Sequence, residues 1–172
     1  MSSLFEGLAS QWRPMTAADL PAVAAVAARV HPDYPEDDAV FAERLRLYPA
    51  GCLVVAGAQE LLAYAVSHPW HRLRPPALNS LLGALPAAPS TYYIHDVALL
   101  AQVRGGGTGA ALVARLVAQA RSAGLAELSL VAVNGSDGFW RRQGFADVDE
   151  PALADKLASY DAAARLMARR LG

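Results

Sequence analysis

The residues most able to do chemistry sit late in the chain. Arg104-Gly105-Gly106-Gly107-Thr108-Gly109 places four glycines and one cation between an apolar run, Tyr92–Leu100, and a helical pattern in which Leu112, Val113, Leu116, Val117 and Ala120 recur on one face. Glycine lets a backbone turn sharply and approach a ligand closely. The first N–H groups of a helix lack internal acceptors, and the helix dipole adds partial positive charge there. Such a site holds phosphate groups. Arg104 adds a full charge and a bidentate fork.

Three anion-binding readings compete with a fourth in which the glycines only make a flexible turn. An NTPase P-loop needs a Lys-Ser/Thr pair after the last glycine, but Ala110 and Ala111 stand there. A dinucleotide fingerprint is formally present as Gly105-x-Gly107-x-x-Ala110. Its ribose-binding acid belongs ~20 residues on, at a strand end. Glu127 has about that spacing but begins its strand. The third reading is a pyrophosphate loop for coenzyme A.

The elements that must position this loop follow from periodicity. Thr16–Val30 has helical spacing, with Thr16 as cap, Asp19 in the first turn and His31-Pro32 as terminator. A second helix is expected over Asp37–Tyr48, with Val40, Phe41, Leu45 and Tyr48 inward. Cys52–Ala56 and Leu61–Val66, joined by Gly57-Ala58-Gln59-Glu60, predict a β-hairpin. Pro69–Pro89 carries five prolines and reads as a long loop, with one helical turn at Asn79–Leu85. Glu127–Val133 predicts a buried strand. Ser136 is placed to cap a short helix through Arg142 that Gly144 stops, and Phe145–Val148 is again extended. The alanine-rich tail, Pro151–Leu171, reads as helix on propensity.

Composition bounds the function. The 172 residues are 54% hydrophobic and 18% charged, with a formal net charge of -1. That describes one packed domain spanning 1–172, without the basic surface that nucleic acid or an anionic membrane would require. Cys52 is the single cysteine, which leaves no internal disulfide, and its apolar neighbours point to core packing. Met1–Gly7 lacks the pattern of a signal peptide, and no apolar run is long enough to span a bilayer. A cytoplasmic location is expected. No His/Cys/carboxylate spacing suggests a metal site.

Two motifs together resemble a known family. Arg104, Gly107 and Gly109 match the Arg/Gln-x-x-Gly-x-Gly/Ala signature of the GNAT superfamily of acetyl-CoA-dependent N-acetyltransferases. Asn134–Phe145 is similar to that superfamily's next motif, with the aromatic pair Phe139-Trp140 followed by Gly144-Phe145. The order of elements agrees along nearly the whole chain. The resemblance implies an α/β fold: a mixed, mostly antiparallel, twisted sheet flanked by helices on both sides. It also implies acetyl-CoA as cosubstrate, an amine of a small molecule or peptide as acceptor and direct attack in a ternary complex, in a fold for which homodimers are common. The strand before the loop would splay from its neighbour, and its segment Val97-Ala98-Leu99 would pair with the pantetheine arm. Backbone N–H groups from Arg104 through Gly105, Gly106, Gly107 and Thr108 to Gly109 would hold the pyrophosphate. Asn134, Phe139 and Trp140 would lie beside the cofactor. A final strand at Ala164–Leu171 is implied against its helical propensity.

Amide formation needs an uncharged amine, so a group must accept its proton. His95 is the first candidate, since an ordinary histidine pKa of ~6.5 suits that task. Alternation puts it on the face of Tyr93 and Val97, with Asp96 opposite as a structural acceptor or the alternative base. A half-buried histidine bonded to a neighbour is the plainer reading of His95. The family's usual acid is a tyrosine in the aromatic pair, whereas an indole stands at Trp140 and cannot protonate a thiolate. Tyr34, Tyr93, Tyr160 or Ser136 could replace it, or no acid is needed, because a thiol pKa of ~8.5 lets the thiolate leave. Asp33, Glu36, Asp37 and Asp38 would attract a cationic acceptor, or merely favour a helix start. His68, Trp70, His71 and Arg72 could line the acceptor pocket, or form a lid. A non-catalytic acyl-CoA binder and a dinucleotide-dependent oxidoreductase remain open as alternatives.

Overall fold

The computed structural model describes residues 11–172, and Met1–Gly7, where a signal peptide would lie, is outside them. The elements are β1 (Trp12–Pro14), α1 (Leu20–Val30), α2 (Asp38–Leu47), β2 (Cys52–Ala56), β3 (Leu61–Trp70), β4 (Thr91–Leu99), α3 (Thr108–Ser122), β5 (Glu127–Ala132), α4 (Asp137–Arg142), β6 (Ala146–Asp147), α5 (Ala154–Tyr160) and β7 (Arg165–Arg170). The seven strands lie in the order β1-β2-β3-β4-β5-β7-β6. Every pairing is antiparallel except β4 with β5. This is the expected mixed, mostly antiparallel α/β sheet.

Strand alternation makes two cores. On one face Val23 and Val26 of α1 and Phe41 of α2 pack over Cys52, Val54, Tyr64 and Val66. On the other, the apolar stripe of α3 packs over Tyr92, Ile94, Leu128 and Leu130, joined by Trp140, Phe145 and Met167. Leu112 is wholly buried in that second core. Leu112→Ala is expected to cost ~2–5 kcal/mol of unfolding free energy, through lost burial and a residual cavity. Chemical denaturation checks this; a loss below about 1 kcal/mol would mean that the core there collapses to fill the gap.

One conflict between propensity and resemblance resolves in favour of the final strand, and two local expectations change. The tail is helical only through Tyr160, and Arg165–Arg170 enters the sheet between β5 and β6. Leu166 and Met167 are buried by that pairing, which overrides alanine's propensity. Asn79–Leu85 forms no helical turn. The amides of Leu82 and Gly83 instead donate to the Glu43 carboxylate, at 2.6 and 3.0 Å. Ser136 does not cap α4 with its side chain; its hydroxyl donates to Val133 O at 2.7 Å.

The sheet is built to open at one place. β4 pairs with β5 only at Tyr92–Leu128, Tyr93–Ser129 and Ile94–Leu130, after which the two strands part. β4 also changes register against β3. Val66 faces Asp96 and Ser67 faces Ile94, so His95 is the extra residue of a β-bulge.

Candidate active site

The bulge corrects the face assignment made from alternation. Val97 and Leu99 pack toward the α3 core, whereas Ala98 belongs to the α1/α2 core. Asp96 lies on the α1/α2 side with His95 rather than opposite it: Tyr64 donates to Asp96 Oδ2 at 2.5 Å, and His31 Nε2 lies 3.2 Å from Asp96 Oδ1. One extra residue moves every later side chain to the other face.

Beyond Ile94 the main chain of β4 faces the gap in alternate steps. Leu100 N donates to Leu62 O of β3. The carbonyls of Val97 and Leu99 instead accept from His31 Nε2 at 3.1 Å and Arg104 Nε at 2.8 Å. Antiparallel ladders alternate in this way, so the backbone of Val97 and Leu99 points toward the opening.

The glycine loop closes one end of that opening. Gly105 and Gly107 take the left-handed backbone conformation, with φ of 78° and 87°. Gly107 thereby starts α3 with its amides directed outward. Among the described residues no acceptor takes the amides of Gly105 to Ala110. Gly109 is small for a different reason: a Cβ there would meet the Phe139 ring at 2.9 Å. Thr108 is buried, and its carbonyl accepts from Trp12 Nε1 at 3.0 Å. Its side chain therefore serves packing, and only its amide remains for a ligand.

A cleft of about 630 Å³ runs from this loop across the parted strands to the α1–α2 connection. Of the expected residues it brings together Tyr93, His95, Asp96, Val97, Leu99, Arg104, Gly105, Gly107, Gly109, Asn134, Phe139 and Trp140. Ala98, Gly106 and Thr108 do not line it. Asn134 sits at φ 58°, a conformation that asparagine tolerates. Trp140 is 6% exposed and packs edge-on against Phe139 and Phe145, so its indole is chiefly a packing group.

The other acceptor candidates are sorted by the fold. Only Glu36 of the four acids in 33–38 reaches the cleft, and none of His68, Trp70, His71 and Arg72 does. His68 is buried, and desolvation pushes its pKa down to about 3. Arg72 pairs with Glu127 at 3.1 Å. Glu127 begins β5, which runs parallel to β4, so it lies at the end of the strands opposite the glycine loop. That placement, in a sheet with a single parallel pair, removes the dinucleotide reading.

Several lining residues carried no signal as site residues in the sequence. Arg142 and Gln143 of the α4 turn add a cation and an amide on the loop side. His31, in sequence only a helix terminator, also lines the cleft. Tyr34 donates to Asp161 Oδ2 at 2.6 Å, and that carboxylate, with burial, pushes its hydroxyl up to about 12. Tyr160 donates to Pro76 O and is pushed to about 12 by burial. Burial likewise holds the Tyr93 hydroxyl well above 10. Phenols this basic are poor proton donors to a thiolate whose ordinary pKa is ~8.5.

The His31–Asp96 pair has a consequence for stability. Burial opposes the imidazolium, but the Asp96 carboxylate and Val97 carbonyl outweigh it, and the His31 pKa is raised. A histidine raised in the folded state stabilises fully below its unfolded pKa of ~6.5 and loses that contribution as pH rises through its folded value. Denaturation midpoints should therefore fall between pH 6 and 9 in the wild type and fall less in His31→Gln. Identical pH slopes in both proteins would remove this linkage.

Among the described residues no group of three or more His, Cys, Asp or Glu is arranged to hold a metal ion. No helix among them is long and apolar enough to cross a membrane.

The chain is similar to known proteins at two levels. The profile of the Acetyltransferase (GNAT) family matches residues 10–145. No curated protein sequence matches the chain significantly. Among solved structures, the GphF GNAT-like decarboxylase in complex with isobutyryl-CoA superposes with a TM-score of 0.74 at 16% identity, covering 94% of this chain and 99% of that one. The loading GNATL domain of CurA from Lyngbya majuscula gives 0.75 at 12% identity, covering 92% and 96%. Arabidopsis thaliana Naa50 in complex with a bisubstrate analogue, CoA-Ac-MVNAL, gives 0.66 at 14% identity, covering 93% and 97%. These likenesses concern the fold. With the family profile spanning most of the sequence, and the parted strands and glycine loop in their expected places, the chain belongs to the GNAT acetyltransferase family.

Proposed function

We propose that the whole chain, residues 1–172, is one N-acetyltransferase domain that moves an acetyl group from acetyl-CoA to a primary amine of a small molecule or peptide. The observation that carries this reading is the joining of the two halves of the cleft. At one end are the free loop amides and Arg104; at the other, beyond the parted strands, lies His95. A pyrophosphate on the loop amides leaves the pantetheine to run along Val97 and Leu99 as an added strand would. Val97 N–H then faces the thioester oxygen and stabilises charge developing there. Asn134 and Phe139 flank the same path.

Catalysis in this reading rests mainly on positioning. The amine nitrogen attacks the thioester carbonyl carbon in a ternary complex. Its proton passes to His95, the N–C bond forms, the C–S bond breaks, and coenzyme A leaves as thiolate and takes up a proton. No dedicated acid is required, since Trp140 cannot supply one and the nearby phenols are too basic. A non-catalytic acyl-CoA binder is the second reading, favoured by the buried indole where the family's tyrosine is usual.

The test uses labelled acetyl-CoA with benzylamine, spermidine and short peptides with free N-termini. The expected product is an N-acetylated amine, found by mass, in stoichiometric balance with free CoA. Tight acetyl-CoA binding with no acetylated product from any amine favours the non-catalytic reading. Decarboxylation of a carboxyacyl-CoA in place of amine acetylation would overturn the acceptor assignment.

A further inference from the structure

The bulge at His95 does more than turn a strand. It delivers the imidazole to the α1–α2 connection, where His95 Nε2 lies 2.8 Å from Glu36 Oε1. Both side chains are withdrawn from solvent, at 4% and 6% exposure. Among the described residues this is the one side-chain hydrogen bond His95 makes. Its Nδ1 is not among the buried unpartnered atoms, which are His31 Nδ1, Arg44 Nε and His68 Nε2. Nδ1 therefore reaches the cleft that His95 lines.

Glu36 is itself held. Its Oε2 accepts from the Asn79 amide at 3.2 Å, while Asn79 Oδ1 accepts from the Asp37 amide at 2.7 Å. Asn79 takes a φ of 53°, a left-handed conformation in which asparagine is enriched. The proline-rich β3–β4 loop thus locks the α1–α2 connection in place through one residue.

We propose that Glu36 is the positioning residue of His95: it fixes the proton on Nε2 and turns the Nδ1 lone pair toward the acceptor amine. A carboxylate at this distance accepts the Nε2 proton, so Nδ1 is left as the acceptor. It also stabilises the imidazolium that forms when the amine proton arrives, as an orienting acid does for a catalytic histidine elsewhere. This rests on His95 being the base. Two cationic groups bear on the pair, since the Glu36 carboxylate favours the charged forms of buried Arg44 and of His31, but each is hydrogen-bonded to another carboxylate. His68 and Tyr93, whose rings lie 6.5 and 6.4 Å from that of His95, are both neutral near pH 7. Tyr160 is neutral there too. Buried Arg44 is paired with Glu43 at 2.9 Å, and Asp96 with His31 and Tyr64.

Two readouts test this and separate it from the base assignment. In proton NMR of the free protein, an Nε2 proton bonded to a buried carboxylate should give a downfield imidazole resonance, protected from exchange. It is expected in the wild type, absent in His95→Gln, and absent or strongly shifted upfield in Glu36→Gln. In acetylation of the best amine among benzylamine, spermidine and the peptides, Glu36→Gln should lower kcat roughly tenfold to a thousandfold. The KM for acetyl-CoA should not move, and Glu36→Asp should restore part of the rate. A wild-type spectrum without the resonance, or Glu36→Gln with wild-type kcat beside an impaired His95→Gln, overturns the Glu36 role and spares the base. A His95→Gln enzyme with wild-type kcat overturns both.

Discussion

Gly107→Glu is expected to abolish coenzyme A binding. The residue opens α3 at a φ of 87°, and the amides of its loop have no acceptor among the described residues. A glutamate there puts bulk and a negative charge on the seat of a pyrophosphate. The substitution also strains a left-handed position by roughly 1–2 kcal/mol, which lowers the Tm of the free protein. That baseline loss does not affect the rise that ligand produces, so the comparison is between the ligand-induced shifts of the two proteins. A Gly107→Glu protein that keeps the wild-type shift would show that the cofactor binds elsewhere.

The second large effect is at His95. Removal of a positioned base costs typically 10²–10⁴-fold in rate, so His95→Ala should lower kcat by about that much. Any limb of the rate profile that reports deprotonation of the base should be lost with it. Affinity for acetyl-CoA should stay at the wild-type value, since the imidazole sits beyond the parted strands rather than on the loop. An unchanged rate and pH profile would eliminate His95 and transfer attention to the His31–Asp96 pair across the same cleft.

Much of this architecture is legible in the sequence. Periodicity finds both N-terminal helices, the hairpin, β4, α3 and β5, because each buries a regular apolar face, although α1 begins at Leu20 rather than Thr16 and β3 runs on past Val66 to Trp70. The glycine loop and the aromatic pair find the cofactor end. The acceptor end is less legible for a physical reason. A bulge has no sequence periodicity, so alternation put Asp96 on the wrong face and separated it from His95. Glu36 resembled three neighbouring acids at a helix start, and only the fold of the β3–β4 loop distinguishes it. Glu43 and Arg44 carry no signal in the apolar pattern, yet both are buried, bonded to each other and to backbone groups of a distant loop. The last strand was hidden by alanine-rich propensity and recovered only through the family resemblance.

The central claim is that this cleft binds acetyl-CoA through the glycine loop. Thermal unfolding with saturating acetyl-CoA, and with CoA, NAD and ATP in parallel, tests it most directly. A ligand at about 100 times its dissociation constant adds ~2.7 kcal/mol, which for a domain of this size raises Tm by several degrees. A rise with acetyl-CoA and CoA alone, lost in Gly107→Glu, is the predicted result. No rise with either in a folded sample, or an equal rise with NAD or ATP, would contradict the account.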